Sequence, residues 1–203
     1  TYSIGDNMKD IVIIGAGGIG REVAWIIEEI NEVNSTWNIV GFVDENREMH
    51  NKDLNGYKVL GGIEALDKLE VKPYVIVAIA NCDVKKNIVA RLEEKYKFAT
   101  VIYPTVKVSK YTEIGNGTII YPGVILTVNT KIGNHVIISG NCGIGHDTVI
   151  GDYSSVLWGS CFSGYDVVGQ EAFIGVGCKI AQGIDITGGS RVATGSVVTE
   201  DIK

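Results

Sequence analysis

The chain has 203 residues, 45% of them hydrophobic, and a formal net charge of −6. That length allows one or two domains with a proper core. The acidic balance, without any basic cluster, excludes a nucleic-acid footprint, and the longest apolar runs, Ile11 to Ala16 and Val75 to Ala80, are too short to cross a bilayer.

In chain order, Thr1 to Asn7 carry no pattern, and Met8 reads as the natural start, with no signal peptide. Ile11 to Ile14 form a buried strand, Gly15 to Gly20 a glycine-rich turn, and Arg21 to Asn31 a helix with Val23, Ile26, Ile27 and Ile30 on one face. Trp37 to Val43 is a second strand ending at Asp44, and Glu45 to Asn55 a polar loop. A short strand over 57–60, a short helix over 63–69, a buried strand over 74–80 ending before Asn81, a helix over 84–96 and a last strand over 98–102 follow. This is an α/β unit with a parallel sheet, about half the length of a full dinucleotide-binding domain. Pro104 marks its end, giving domains 8–103 and 104–203 that pack directly, since no linker separates them.

From Val108 to Val198 every sixth residue is aliphatic or aromatic, sixteen times without a slip. Such a period specifies a hexapeptide β-helix. Three hexapeptides make one triangular coil of 18 residues, with coils stacked about 4.8 Å apart. The anchors fill the prism, and small residues four places after each anchor allow tight corners. Of the four cysteines, Cys142 and Cys178 share a column but lie about 9.6 Å apart, two strand spacings, which is too far for a disulfide. All four read as small fillers in a reducing cytoplasm.

Two places carry chemistry. Gly15, Gly17 and Gly20 have the G-x-G-x-x-G spacing between a strand and a helix, with Asp44 where a ribose hydroxyl would be bound. Backbone N–H groups there face an anion. The readings are the phosphate of a nucleotide-linked substrate, a redox cofactor, or a structural turn. The missing second half counts against the cofactor. Among three histidines, His50 reads as solvated and His135 as a surface residue. His146 lies outside the prism at a corner, with Asp147 beside it to orient the ring. Gly164 is one full coil later, so its N–H is placed a strand spacing away. The competing reading is an exposed histidine with an incidental aspartate. No second His or Cys shares the column, so no metal is expected.

The order of a glycine-rich α/β unit and a hexapeptide solenoid bearing Gly145-His146-Asp147 resembles bacterial sugar acetyltransferases. These are the sialic acid O-acetyltransferase-like proteins and the N-acetyltransferases of UDP- or GDP-linked 4-amino sugars. The matching segments are Ile11 to Val23, Val40 to Asn46, Val77 to Asn81, Tyr121 to Gly123 and Gly145 to Asp152. The resemblance implies a left-handed coil, a cytoplasmic enzyme, a homotrimer, and acetyl-CoA in a groove between two solenoids. It gives His146 the role of general base, Asp147 that of its partner, and the Gly164 N–H the thioester oxygen. The loop residues Gly15, Ala16, Gly17, Gly18 and Ile19, with Asp44, Glu45 and Asn81, would hold the nucleotide sugar. Relatives often carry histidine where Ile19 stands here, and some carry another where Ser155 stands; both contribute to substrate or acetyl-CoA contacts in such relatives, which places Ser155 among the acetyl-CoA contacts. The family's usual Gly-Val-Pro-Ala-Lys tail is replaced by Thr199 to Lys203, so part of the coenzyme groove is expected to differ. The implied activity is N-acetylation of a nucleotide-linked amino sugar. O-acetylation of a sialic-acid-type sugar, a small dehydrogenase and a non-catalytic nucleotide-sugar-binding protein are the alternatives. No long loop leaves the solenoid, so substrate selection falls to the α/β unit or a neighbouring subunit, with the active site at a subunit interface.

Overall fold

The structure is a computed structural model and describes residues 8–203. The reading of Thr1 to Asn7 falls outside the described residues. The α/β unit is a four-stranded parallel sheet in the order β2, β1, Tyr74–Val77, Lys97–Phe98, where β1 is Lys9–Ile14 and β2 is Trp37–Val43. Ile11, Val12 and Ile13 have no exposed surface, as expected of a strand covered on both faces. Helix α1, Gly18–Val33, buries Val23, Ala24, Ile26 and Ile27 along one stripe. Helix α2 spans Cys82–Leu92, with the Asn81 side chain accepting from the Val84 N–H at 3.0 Å as its N-cap. The loop after β2 is more ordered than its polarity suggested. It holds a 3₁₀ turn, Arg47–Met49, and an antiparallel pair of Asp53–Leu54 with Tyr57–Lys58.

The rest is a left-handed β-helix of stacked parallel strands. Every anchor from Ile114 to Val198 closes a two-residue strand, and each coil places one strand on each of three faces. The first face carries Ile119–Ile120, Ile137–Ile138, Ser155–Val156, Phe173–Ile174 and Arg191–Val192. The second begins at Ile125–Leu126 and the third at Glu113–Ile114. Val108 does not join: it is 43% exposed and forms no strand.

The strand expected over 98–102 is two strands. Lys97–Phe98 pairs with Tyr74–Val75 in the α/β sheet. Val101–Ile102 pairs with Ile119–Ile120 and heads the first face of the solenoid. Only Ala99 and Thr100 lie between.

The α/β unit sits on that first face. Ile119, Ile137 and Tyr121 point outward from the prism, yet they are buried in one cluster with Ile11, Ile26 and Ile27. Each such aliphatic side chain contributes about 1.5–3 kcal/mol on burial. Tyr121 Oη donates to Glu22 at 2.9 Å, and Arg191 pairs with Asp83 at 2.9 Å.

Candidate active site

The glycine-rich turn folds as the spacing requires, each glycine for its own reason. Gly15 has φ +101, a conformation favourable to glycine. A Cβ on Gly20 would land on the Gly15 carbonyl oxygen, so Gly20 lets α1 approach β1. Gly17 and Gly18 face open space, with nothing within 4 Å of an added Cβ. The first N–H groups of α1 have no intrahelical acceptor, the general feature that lets a helix N-terminus take an anion. Asp44 ties the turn to β2: one carboxylate oxygen accepts from the Ala16 N–H at 2.8 Å and the other from the Asn46 N–H at 2.9 Å. The Gly15 N–H donates to the Val43 carbonyl at 2.8 Å. A cavity of about 180 Å³ opens beside them, lined by Gly15, Asp44, Glu45, Ile79, Val84 and Ile88 among others. Glu45 faces Arg91 at 3.2 Å, and Ile19 is half-buried against the α/β core. His50 is not a freely solvated residue. Its Nε2 lies 2.8 Å from the Asp44 carbonyl, inside the same loop system.

The second group sits on the solenoid, in the turn between the second-face strand Gly143–Ile144 and the third-face strand Val149–Ile150. His146 Nδ1 is 3.0 Å from Asp147 Oδ2. Asp147 is held below the usual carboxylate range, first by the Asn129 amide, 3.0 Å from its other oxygen, and then by His146. An ionised carboxylate only accepts, so the Nδ1 position carries the proton and Nε2 presents its lone pair. The ring stands edge-on to Tyr165, centroids 4.8 Å apart, and the side chain is 41% exposed. Gly164 lies against it: a Cβ there would sit 2.9 Å from both Cε1 and Nε2. His146, Asp147 and Gly164 are therefore together. Among the described residues no hydrogen bond links them to the Gly15–Asp44 group.

Ser155 is elsewhere and corrects the expectation of a coenzyme contact. It is fully buried under the α/β unit, where its hydroxyl donates to the Ala80 carbonyl at 2.8 Å and accepts from Lys85 Nζ at 3.0 Å. No surface is left for a coenzyme. Lys85 has no exposed surface either, and burial lowers its ammonium to about 7. His135 is also not at the surface. It is sandwiched between Tyr153, stacked at 5.3 Å, and Phe98, edge-on at 4.6 Å, and burial pushes it down to about 4.

Sequence reasoning missed Lys85 although a signal existed, since it falls on the helical stripe Lys85, Ile88, Val89, Leu92. It also missed Asp166. Among the residues four places after each anchor, Asp166 alone is charged. It is fully buried, and desolvation raises its carboxyl. Among the described residues no group of three or more ligands fit to hold a metal ion was found.

Residues 10–92 match the family of the PglD N-terminal domain. The chain is 33% identical over 175 residues to a GDP-perosamine N-acetyltransferase of Escherichia coli O157:H7, covering 85% of this chain and 78% of that one. It superposes with a TM-score of 0.85 on PerB from Caulobacter crescentus solved in complex with CoA and GDP-perosamine, at 26% identity, covering 95% of this chain and 90% of that one. A mutant of the same Caulobacter enzyme, with one histidine replaced by alanine and the same two ligands bound, gives a TM-score of 0.86 at 26% identity over the same shares of the two chains.

Proposed function

The chain belongs to the bacterial nucleotide-sugar acetyltransferases, and on that premise we propose that it is an acetyl-CoA-dependent N-acetyltransferase acting on GDP-perosamine or a close GDP-linked 4-amino sugar. The observation that carries the reading is the placement of His146, its Nδ1 fixed by Asp147 and its Nε2 turned to the Gly164 backbone.

In this reading residues 8–103 select the nucleotide sugar and residues 104–203 carry the chemistry. The open N–H groups around Gly17 and Gly18 take the phosphates. The cavity beside Gly15, Asp44 and Glu45 takes the nucleoside, with Asn81, the N-cap of α2, as a further contact. The sugar amine attacks the thioester carbonyl of acetyl-CoA, forming the C–N bond, and His146 Nε2 takes the amine proton. The Gly164 N–H receives the carbonyl oxygen as its charge grows. The tetrahedral centre then collapses, the C–S bond breaks, and the thiolate leaves, reprotonated from His146. No side chain needs to be acylated.

The two groups belong to different subunits of a trimer. The turn that bears His146 joins the second and third faces, so it lies at the edge opposite the first face, where the chain's own α/β unit is docked. The flanks of that edge expose Ile125 (64%), Tyr165 (57%) and Val167 (46%), the apolar surface a neighbouring solenoid would cover. Among the described residues no helix is long and apolar enough to cross a membrane. The four free cysteines suit a reducing cytoplasm, the compartment assigned here.

Thiol release from acetyl-CoA in the presence of GDP-perosamine tests the reading. His146→Ala should lower kcat by about 10²–10⁴-fold, the usual loss on removing a general base. Near-full turnover in that variant would sink the assignment.

A further inference from the structure

The Gly164 N–H, which the proposed mechanism offers to the thioester oxygen, is not free in this structure. It donates to Asp166 Oδ2 at 3.2 Å, inside the prism wall. Other turns of the solenoid show what is unusual. In three of them the hydroxyl four places after an anchor makes two bonds to the next coil, while Thr130 donates to Thr112 instead. Thr118 donates to the Gly133 carbonyl and accepts from the Val136 N–H. Ser154 does the same with Gly169 and Ala172, and Ser160 with Gly175 and Cys178. The carbonyl reached this way points inward. The N–H of the following residue, across the same peptide plane, therefore points outward.

Thr148 occupies the equivalent position beneath the turn 163–166, and its partners by this pattern are the Ser163 carbonyl and the Asp166 N–H. It reaches neither: Thr148 Oγ1 is buried without any partner among the described residues. Gly164 has φ +137, while positive φ elsewhere in the solenoid falls three places after the anchor, not two. One peptide plane explains all three facts. The Ser163–Gly164 peptide is turned over, so its carbonyl has left Thr148 and its N–H has swung in to Asp166. Asp166 is held ready for it, since its other oxygen accepts from the Ile184 N–H at 3.0 Å.

We propose that Asp166 is a positioning residue that holds the Ser163–Gly164 peptide in an acyl-free orientation, and that acetyl-CoA engages the site by turning the peptide back. In the returned orientation the Gly164 N–H faces outward beside His146, and the Ser163 carbonyl accepts from Thr148. Asp166 and Thr148 thus pull the same peptide in opposite directions. The inference rests on the reading of His146 as base and the Gly164 N–H as oxyanion donor.

Opposite signs are therefore expected from two sets of variants. Asp166→Ser keeps an acceptor for Ile184, as Ser160 does for Cys178, but releases Gly164. Asp166→Thr does the same, with the hydroxyl that Thr118 offers to the Val136 N–H. Both should raise kcat/KM for acetyl-CoA by about three- to ten-fold, the worth of one backbone hydrogen bond. Thr148→Val, which removes the opposing partner, should lower it by a similar factor. The assay is CoA release by the full chain with GDP-perosamine, at about pH 8.5, above the ordinary imidazole range. Circular dichroism confirms folding, and Asp166→Thr serves if Asp166→Ser does not fold. An unchanged or lower kcat/KM in the folded Asp166 variants overturns the proposal, as does a gain in Thr148→Val. If wild type does not turn over, or His146→Ala does, the failure belongs to the acetyltransferase reading instead.

Discussion

The two titratable side chains buried under the α/β unit, Lys85 and His135, make stability depend on pH. Lys85 is fully enclosed, and among the described residues its Nζ donates only to the Ser154 carbonyl and the Ser155 hydroxyl, with no carboxylate paired to it. Burial brings it to about 7, whereas the unfolded chain keeps the ordinary 10.4 or so. Between those values the folded state has released the proton that the unfolded state still binds, so stability rises with pH, by on the order of 5 kcal/mol in total. Below pH 7 both states are protonated and the full cost of the buried ammonium remains. His135 adds a second window. Burial and then the Lys85 charge lower it to about 4, so stability falls as pH drops from about 6.5, the ordinary imidazole value, towards 4. Melting temperature should therefore climb from pH 4 to 6.5 and again from 7 to 9. Lys85→Met should abolish the upper climb and stabilise the protein at pH 7 by about 1–4 kcal/mol. It orphans nothing, because the Ser154 carbonyl keeps the Ile137 N–H and the Ser155 hydroxyl keeps the Ala80 carbonyl. A flat pH profile in wild type would contradict the buried charge. At this scale the sequence was partly legible. The adjacency of His146 and Asp147 and the 18-residue step to Gly164 follow from spacing alone. The burial of His135 does not, because it depends on Phe98 and Tyr153 arriving from other elements.

The glycine-rich turn shows what an element-level motif can and cannot say. Its three spaced glycines announced a tight turn, an open approach and a close helix–strand contact, and each role has a separate physical test. Gly20→Ala forces a methyl onto the Gly15 carbonyl and should destabilise the α/β unit by about 3 kcal/mol. Gly17→Ala meets nothing and should melt within about 0.5 kcal/mol of wild type. Its KM for the nucleotide sugar should nevertheless rise, since the methyl enters the space proposed for the phosphates. Equal stability losses in the two variants would remove the distinction. The strand over 98–102 was read wrongly for a related reason. Hydrophobicity runs on through Ala99, but pairing partners change there, and period-two patterning carries no information about which sheet a strand joins. The hexapeptide phase did hold that information, because Ile102 lies six residues before Val108.

For the whole molecule, the doubled isoleucines Ile119-Ile120 and Ile137-Ile138 mark the one face of the prism covered on both sides. On the second and third faces the residue before an anchor is exposed at Ile125, Lys131, Val167 and Lys179, among others. The sequence alone does not carry that contrast, since Ile125-Leu126, Val149-Ile150 and Val167-Val168 are doubled on the other faces too; burial shows which face the α/β unit takes. Trimerisation is the matching expectation for the opposite edge. Val167→Glu should convert the assembly to monomer by sedimentation and lose activity with it, while keeping the monomer folded. A fully active monomer would refute the shared site. Mixing subunits adds a sharper check: His146→Ala and a variant defective in nucleotide-sugar binding, each inactive alone, should recover part of the activity when assembled together.

The two-residue step from Lys97–Phe98 to Val101–Ile102 also bears on how the protein is cut and made. The first coil of the solenoid borrows its top strand from chain that sequence patterning assigns to the α/β unit. A β-helix started at residue 104 would leave the backbone of Ile119–Ile120 unpaired on a wide apolar face, the kind of open edge that recruits strands from other molecules. Such a fragment is expected to aggregate, and one started at residue 97 to resist it better. Synthesis runs in the same direction: the strand that seals the solenoid leaves the ribosome before the coils it covers.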